Sequence, residues 1–81
     1  MPKYRKRPIV VEASQFIGDN VPDGIFKDKT SSTGLSINTL EGKHEVSEGD
    51  FIVTGIEGET YPVKASVFNK TYERVKDDDY S

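Results

Sequence analysis

The sequence predicts a mainly β fold, either a small antiparallel sheet or a partly open barrel of about five to six short strands, with the α+β class as an alternative. Residues 39–63 are divided into short apolar runs by three turn signals: Glu41-Gly42, Glu48-Gly49-Asp50 and Glu57-Gly58. β-Branched and aromatic residues fill those runs, as is typical of strands. The next residues lack strand alternation, which predicts one short helical turn near residues 65–71.

The first strand is predicted over residues 8–16, where three β-branched residues follow Pro8. A proline is tolerated at a strand's first position because a ladder donor can be missing there. Residues 18–34 are dense in Gly, Asp, Asn, Ser and Thr, which predicts a long, flexible loop. Ile25 and Phe26 lie within this stretch, and we expect them to form one anchored turn that docks on the core.

A hairpin is predicted next, with strands over residues 35–39 and 43–46 joined by a tight turn. The most apolar run, residues 51–54, follows the second turn signal and is expected to form the central strand. The alternation of a strand places Phe51 and Val53 on the same face. We therefore expect both side chains to lie in the core.

The end of the chain is predicted to return along that central strand and then turn once as a helix. Residues 59–63 are expected at a sheet edge, because Pro62 cannot donate to a ladder. Gly55 marks a bulge or a close backbone approach. Ser66 is expected to cap the helical turn, and residues 72–75 are expected to form a last strand.

The length of 81 residues predicts a single small domain, residues 1–81, with a marginal core. The chain has no cysteine, so neither a disulfide nor a thiolate metal site is expected. A small core without such a staple often needs partner surface, which makes a homodimer a candidate. The chain has no secretory signal and no apolar run of about 18 residues, so we expect no membrane span and a cytoplasmic location.

The net charge of −3 conceals an asymmetry between the two ends. Residues 1–7 form a basic arm, and residues 76–81 form an acidic tail that is expected to be disordered. Both ends can serve solubility, the arm can contact phosphates or acidic protein, or the two ends can attract each other. Four cations on an otherwise acidic chain make duplex DNA an unlikely partner.

Few residues could carry catalysis. His44 is the only histidine, and no cysteine can join it in a metal site. The acidic pairs bracket glycine turns, where solvated carboxylates are common, and no serine lies in a nucleophile motif. We therefore expect no catalytic residue, no metal, no cofactor and no enzyme activity. Asp50 is instead expected to accept hydrogen bonds from the backbone amides of its own turn.

Tyr61, Phe68 and Tyr72 are the strongest candidates for a binding surface. Aromatic side chains on a small sheet can stack on a base or another planar ligand. They can equally fill the core beneath the helical turn, because so small a domain needs its large side chains inside. Lys64 is a candidate that adds charge for a small anionic ligand. On the basic arm, Arg5 and Arg7 are candidates for contact with a partner.

Several segments resemble a known family. The opening residues 4–13 read YRKRPIVVEA, and Gln15-Phe16 and Gly18-Asp19 follow. The second half has an EG turn, a GD turn, then G-x-x-GE-x-YP from Gly55 to Pro62 and F-x-x-TYE from Phe68 to Glu73. On these motifs the chain resembles a family of small proteins from phages and prophages. Residues 20–34 depart from that pattern, because the family carries a longer helical segment there.

The resemblance implies a viral gene product in the cytoplasm of a host bacterium, and it implies no reaction. Three hypotheses follow. The first is a non-enzymatic protein-binding module, such as an inhibitor of a host defence protein, that docks on a host or phage protein through a sheet edge or the aromatic cluster. The second is a binder that sequesters a small ligand or nucleotide. The third and weakest is an enzyme.

Overall fold

The computed structural model describes residues 1–5, 8–18 and 21–75. Within them, six strands form two three-stranded antiparallel sheets, and one short helix follows. The elements are β1 Glu12–Gln15, β2 Ile25–Lys27, β3 Leu35–Thr39, β4 Gly42–Glu45, β5 Phe51–Thr54, β6 Thr60–Val63 and α1 Ala65–Thr71. The prediction of a mainly β fold is confirmed, and in this part of the chain the strands do not close into a barrel.

The first sheet has the strand order β1-β5-β6, which confirms the central position of residues 51–54 and the edge position of β6. The amide of Gly55 donates to the carbonyl of Glu59 at 2.8 Å. Because hydrogen-bonded pairs alternate along an antiparallel ladder, Pro62, opposite Ile52, falls at a non-hydrogen-bonded pair. Its missing N–H would point away from β5, so the proline removes no hydrogen bond from the sheet.

The second sheet has the strand order β2-β3-β4 and contains the predicted hairpin between β3 and β4. The prediction of a continuous loop over residues 18–34 is wrong, because β2 lies inside it. β2 pairs with β3 from Ile25 opposite Ile37 to Lys27 opposite Leu35. With β4 on one side of β3, the backbone groups on its other side need partners, and this short segment provides them.

The connection between β2 and β3 is held by hydrogen bonds from its side chains as well as its backbone. The amide and hydroxyl of Ser32 both donate to the carboxylate of Glu45 at 2.9 Å. These bonds hold the pKa of Glu45 below its ordinary value, the backbone donor most strongly. The hydroxyl of Thr33 donates to the carbonyl of Val46 at 2.6 Å. The Ser/Thr-rich composition, which predicted flexibility, supplies the donors that order this segment.

The main apolar cluster lies between the two sheets. It consists of Phe16, Ile37, Val46 and Ile52, with Ile25 and Leu35 packed against it. Val53 follows Ile52 on β5 and so faces the other side of the first sheet, where it is fully buried. Phe51 shares that face but is only half-buried. The prediction of a core position is therefore confirmed for Val53 and wrong for Phe51.

β1 is shorter than the predicted strand over residues 8–16, because it begins at Glu12. β5 ends at Thr54, opposite Glu12, so the residues before β1 have no part of β5 to pair with. Ile9 and Val10 consequently stay 48% and 49% exposed. The apolar character of this segment therefore contributes to the surface of the protein rather than to its core.

α1 also differs from the prediction at both ends. Its N-cap residue is Lys64 rather than Ser66, and no side chain caps the first turn. At the other end, the amide of Tyr72 donates to the carbonyl of Phe68 at 2.9 Å and ends the helix. The prediction of a last strand over residues 72–75 is wrong, because no strand in the described residues pairs with them.

The acidic tail over residues 76–81 lies outside the described residues, as do Lys6 and Arg7 of the basic arm. Among the residues that are described, no helix is long and apolar enough to cross a membrane.

Candidate functional site

Three aromatic rings form a continuous stack between the first sheet and α1. The rings of Phe51 and Phe68 lie 3.8 Å apart between centroids, with an interplanar angle of 6°. The rings of Phe68 and Tyr72 lie 4.7 Å apart at 15°. Because both neighbours are nearly parallel to the Phe68 ring, they cover its two faces. Phe68 therefore packs between protein rings, and neither of its faces is open to a base.

Tyr61 of β6 joins this group through its hydroxyl. The hydroxyl oxygens of Tyr61 and Tyr72 lie 3.4 Å apart. The hydrogen bond with Tyr72, helped by burial, raises the pKa of Tyr61 to about 12. The phenol of Tyr61 consequently stays neutral at physiological pH and offers a hydrogen bond without charge. The structure thus brings Tyr61, Phe68 and Tyr72 together, as the sequence predicts.

A cleft of about 670 Å³ opens beside the two tyrosines. Its walls come from the segment before β1, the turn between β5 and β6, strand β6 and helix α1. The apolar side chains along it are those of Pro8, Ile9, Val11, Ile56, Val63 and Val67. The hydroxyls of Tyr61 and Tyr72 and the carboxylate of Glu59 are its main polar groups. The lining contains no lysine or arginine among the described residues.

Glu59 is placed by the turn that precedes β6. Its carboxylate oxygen Oε1 accepts a hydrogen bond from the amide of Glu57 at 3.2 Å. The carboxylate also lies directly against Gly55, where a Cβ atom would collide with it. The predicted close approach at Gly55 is thus confirmed, and its partner is a side chain rather than backbone. Any larger residue at position 55 would displace the one carboxylate of the cleft.

Lys64 does not line the cleft. Its ammonium nitrogen lies 3.5 Å from Oδ1 of Asp50, with the lysine side chain 67% exposed and the carboxylate 6% exposed. The other oxygen of Asp50 accepts a hydrogen bond from the amide of Ser47 at 3.0 Å, which confirms the predicted turn role of this carboxylate. Arg5 is exposed in the N-terminal segment. The structure therefore brings neither of these cations together with the tyrosines.

A second cleft, of about 440 Å³, lies between β6 and the β3–β4 hairpin. It is lined by residues of the hairpin turn such as Leu40, by His44, and by Pro62. Glu59 and Tyr61 line this cleft as well as the first one, so the two clefts share these residues on β6 and the turn before it. His44 is exposed, and no group of three or more potential metal ligands occurs within the described residues.

Asp28 is a buried carboxylate with several hydrogen-bond partners, and it was not singled out from the sequence. Its carboxylate accepts hydrogen bonds from the hydroxyls of Thr30 at 2.6 Å and Ser36 at 2.7 Å. The ammonium of Lys43 lies 2.8 Å away. Lys43, with the two hydroxyls, holds the pKa of Asp28 far below its ordinary value. Of this network, only the Asp-x-Thr spacing is visible in the sequence, as a local turn signal.

Comparisons with protein-family models, curated proteins and solved structures found no match for this chain. The geometry of the clefts is therefore the guide to what the site can do. The first cleft can hold apolar side chains, and its lining includes two phenol hydroxyls and one carboxylate.

Proposed function

We propose that this chain is a non-enzymatic protein-binding module whose contact surface is the first cleft. The observation that carries the proposal is the apolar rim of the cleft. Ile56, Ile9 and Val67 on that rim are 73%, 48% and 50% exposed. Contiguous exposed apolar surface of this kind marks interaction sites in soluble proteins, whereas singly scattered apolar residues do not.

The shape of the cleft also supports a protein partner. β6, α1, the turn between β5 and β6 and the segment before β1 surround it, and it shares Tyr61 and Glu59 with the second cleft. A partner side chain can enter the apolar space while its backbone or polar atoms meet the two phenols. Tyrosine suits such interfaces because one end of the side chain is apolar and the other forms hydrogen bonds.

The resemblance to small proteins of phages and prophages supports a more specific form of the proposal. A product of this kind acts in the cytoplasm of the host bacterium and binds a host or phage protein stoichiometrically. Inhibition of a host defence protein is the role that fits such binding best. This role rests on analogy with other small viral proteins, and the cleft supplies the contact surface that it requires.

A matched pair of variants tests the proposed surface. Val67→Lys places a charge on the cleft rim, and Val21→Lys places the same charge at an equally exposed valine, 51% against 50%, that lines neither cleft. Each tagged protein is purified from host cells that make it, and the stoichiometric partner is identified by mass spectrometry. Calorimetry with the purified partner then gives the affinities.

We expect the wild type and Val21→Lys to bind equally, and Val67→Lys to bind about tenfold or more weakly, a loss of about 1.4 kcal/mol. Equal binding by all three proteins would show that the cleft is not the contact surface. Recovery of no stoichiometric partner by the wild type would contradict the binding module itself.

A small-ligand binder is the second candidate, because the cleft volume of about 670 Å³ lies within the range of small-molecule sites. The charges favour a neutral ligand over a nucleotide, since Lys64 lies at Asp50 and Glu59 lines the cleft. Native mass spectrometry of protein purified from host cells, with thermal melts in a nucleotide panel, tests this candidate. If no ligand mass is retained and no nucleotide shifts the melting midpoint, the small-ligand binder is ruled out.

A further inference from the structure

The outer edge of β1 presents unpaired backbone groups. The amide of Phe16 donates to the carbonyl of Asp50 at 2.8 Å, so this pair is hydrogen-bonded. Hydrogen-bonded and non-hydrogen-bonded pairs alternate along the β1–β5 ladder. The N–H and C=O groups of Ala13 and Gln15 therefore point away from β5. In the described part of the chain, no strand lies on that side of β1.

The other free edges carry features that discourage pairing with a further strand. β6 has Pro62, which removes an outward donor. β4 has Lys43, and β2 is only three residues long and ends at Lys27. Lysine, proline and short length are the devices by which proteins protect sheet edges. β1 contains neither proline nor lysine, and its first three residues are exposed.

We infer that β1 pairs with β1 of a second copy of this chain, antiparallel and centred on Ala13. The two Ala13 residues would exchange their N–H···O=C bonds across a two-fold axis. The two first sheets would then form one continuous six-stranded sheet. This inference does not rest on the proposed function, because it is argued from the β1 edge, and Ile9 is the one residue that it shares with the rim of the first cleft.

The sequence around Ala13 is complementary to itself in this register. Glu12 lies opposite Ser14 of the second copy, so no like charges meet. A register centred on Glu12 would instead place two carboxylates opposite each other, which is unfavourable. At each end, Ile9 lies opposite Ile17 of the second copy. These two isoleucines are 48% and 53% exposed in the monomer, so pairing would cover apolar surface that is open to water.

A charge-swap experiment tests both the dimer and its register. Ala13 is exposed, so Ala13→Lys and Ala13→Glu can be made without burying a charge. In the centred register each variant places two like charges across the axis, whereas an equimolar mixture pairs opposite charges. Sedimentation equilibrium measures the mass against the monomer value of 9.0 kDa. Leu40→Lys, at a residue that is 80% exposed on the hairpin turn, is the control.

We expect the wild type and the Leu40→Lys control to sediment at twice the monomer mass, each Ala13 variant at half that value, and the mixture at the dimer mass again. A monomeric wild type, an Ala13→Lys protein that stays dimeric, or a mixture that stays monomeric would each overturn the inference.

Hydrogen exchange provides a measurement that needs no variant. The outward amides of Ala13 and Gln15 should exchange more slowly as protein concentration rises, because pairing protects them. The outward amides of Lys43 and Glu45 on β4 should exchange at a constant rate. Exchange at Ala13 and Gln15 that does not depend on concentration would likewise overturn the inference.

Discussion

Substitution of Phe68 by Leu removes two stacked ring contacts and keeps a large apolar side chain on α1. The Phe68 ring lies 3.8 Å from that of Phe51 and 4.7 Å from that of Tyr72, between centroids. An aromatic pair contributes about 0.5–1.5 kcal/mol beyond the area that it buries, so losing two pairs should lower the free energy of unfolding by about 1–3 kcal/mol. For a domain of this size the whole free energy of unfolding is about 4–12 kcal/mol.

Urea denaturation followed by far-ultraviolet circular dichroism measures this loss. The midpoint should fall while the slope of free energy against urea stays unchanged, because the surface exposed on unfolding is nearly the same. The thermal midpoint should fall as well, by about 4–8 °C for each kcal/mol lost.

Phe26→Leu is the matched control for this substitution. Phe26 lies on β2, is 36% exposed, and belongs to neither of the ring pairs found in the described residues. We expect it to lose less than about 1 kcal/mol, as surface substitutions usually do. If Phe68→Leu costs no more than Phe26→Leu, the stack does not stabilise the fold, and its rings serve as surface instead.

Four further predictions concern single groups. Val53→Asp should unfold the domain, because Val53 is fully buried and the new carboxylate would have no partner; a melting curve like that of the wild type would show that the register of β5 is wrong. Gly58→Val should lower the free energy of unfolding by about 1–2 kcal/mol in chemical denaturation, because Gly58 has a φ of 84°. Gly58→Asn should lower it by less, because asparagine tolerates positive φ. Equal losses for the two variants would show that positive φ is not the cause. Asp28 has a lowered pKa in the folded state, so its stabilisation is present above the ordinary carboxyl pKa of about 3.9 and is lost as pH falls below it. Asp28→Asn should therefore destabilise at pH 7 and flatten the acid limb of a stability–pH profile, and an unchanged acid limb would refute the role of Asp28. Ultraviolet titration should show Tyr61 ionising at a pKa of about 12, and Tyr72→Phe should bring that value down; an unchanged titration would show that the hydroxyl contact is not its cause.

Local backbone chemistry explains which parts of the fold could be predicted. Gly42, Gly49 and Gly58 all have positive φ, so the turns between β3 and β6 follow from residue type alone. β2 could not be predicted in this way, because Ile25–Lys27 is only three residues long and lies within a stretch rich in turn-forming residues. It forms a strand because the free side of β3 provides partners, and such partners depend on tertiary contact.

The candidate site was predictable only in part, for the same reason. Phe68 and Tyr72 lie four residues apart across α1, which brings their side chains together on one face. The position of Tyr61 beside them depends on how α1 lies on the first sheet. Lys64 was expected near the rings, but it begins the helix and lies against Asp50. The apolar residues of the cleft wall that precede β1 belong to the strand predicted over residues 8–16. They are not part of β1, because β5 ends opposite Glu12.

Pro62 determines how far this protein can associate through its sheet edges. A sheet that grows by adding chains needs a competent edge on both sides, because each added chain must offer a new surface to the next. The outward donor missing from β6 interrupts that growth on one side of the first sheet. For the inferred β1–β1 dimer, assembly through this sheet would therefore end after one pairing step and give a closed particle in place of a fibril. Replacement of Pro62 would restore that outward donor, so the limit on growth would depend on a residue whose missing N–H costs the sheet no hydrogen bond.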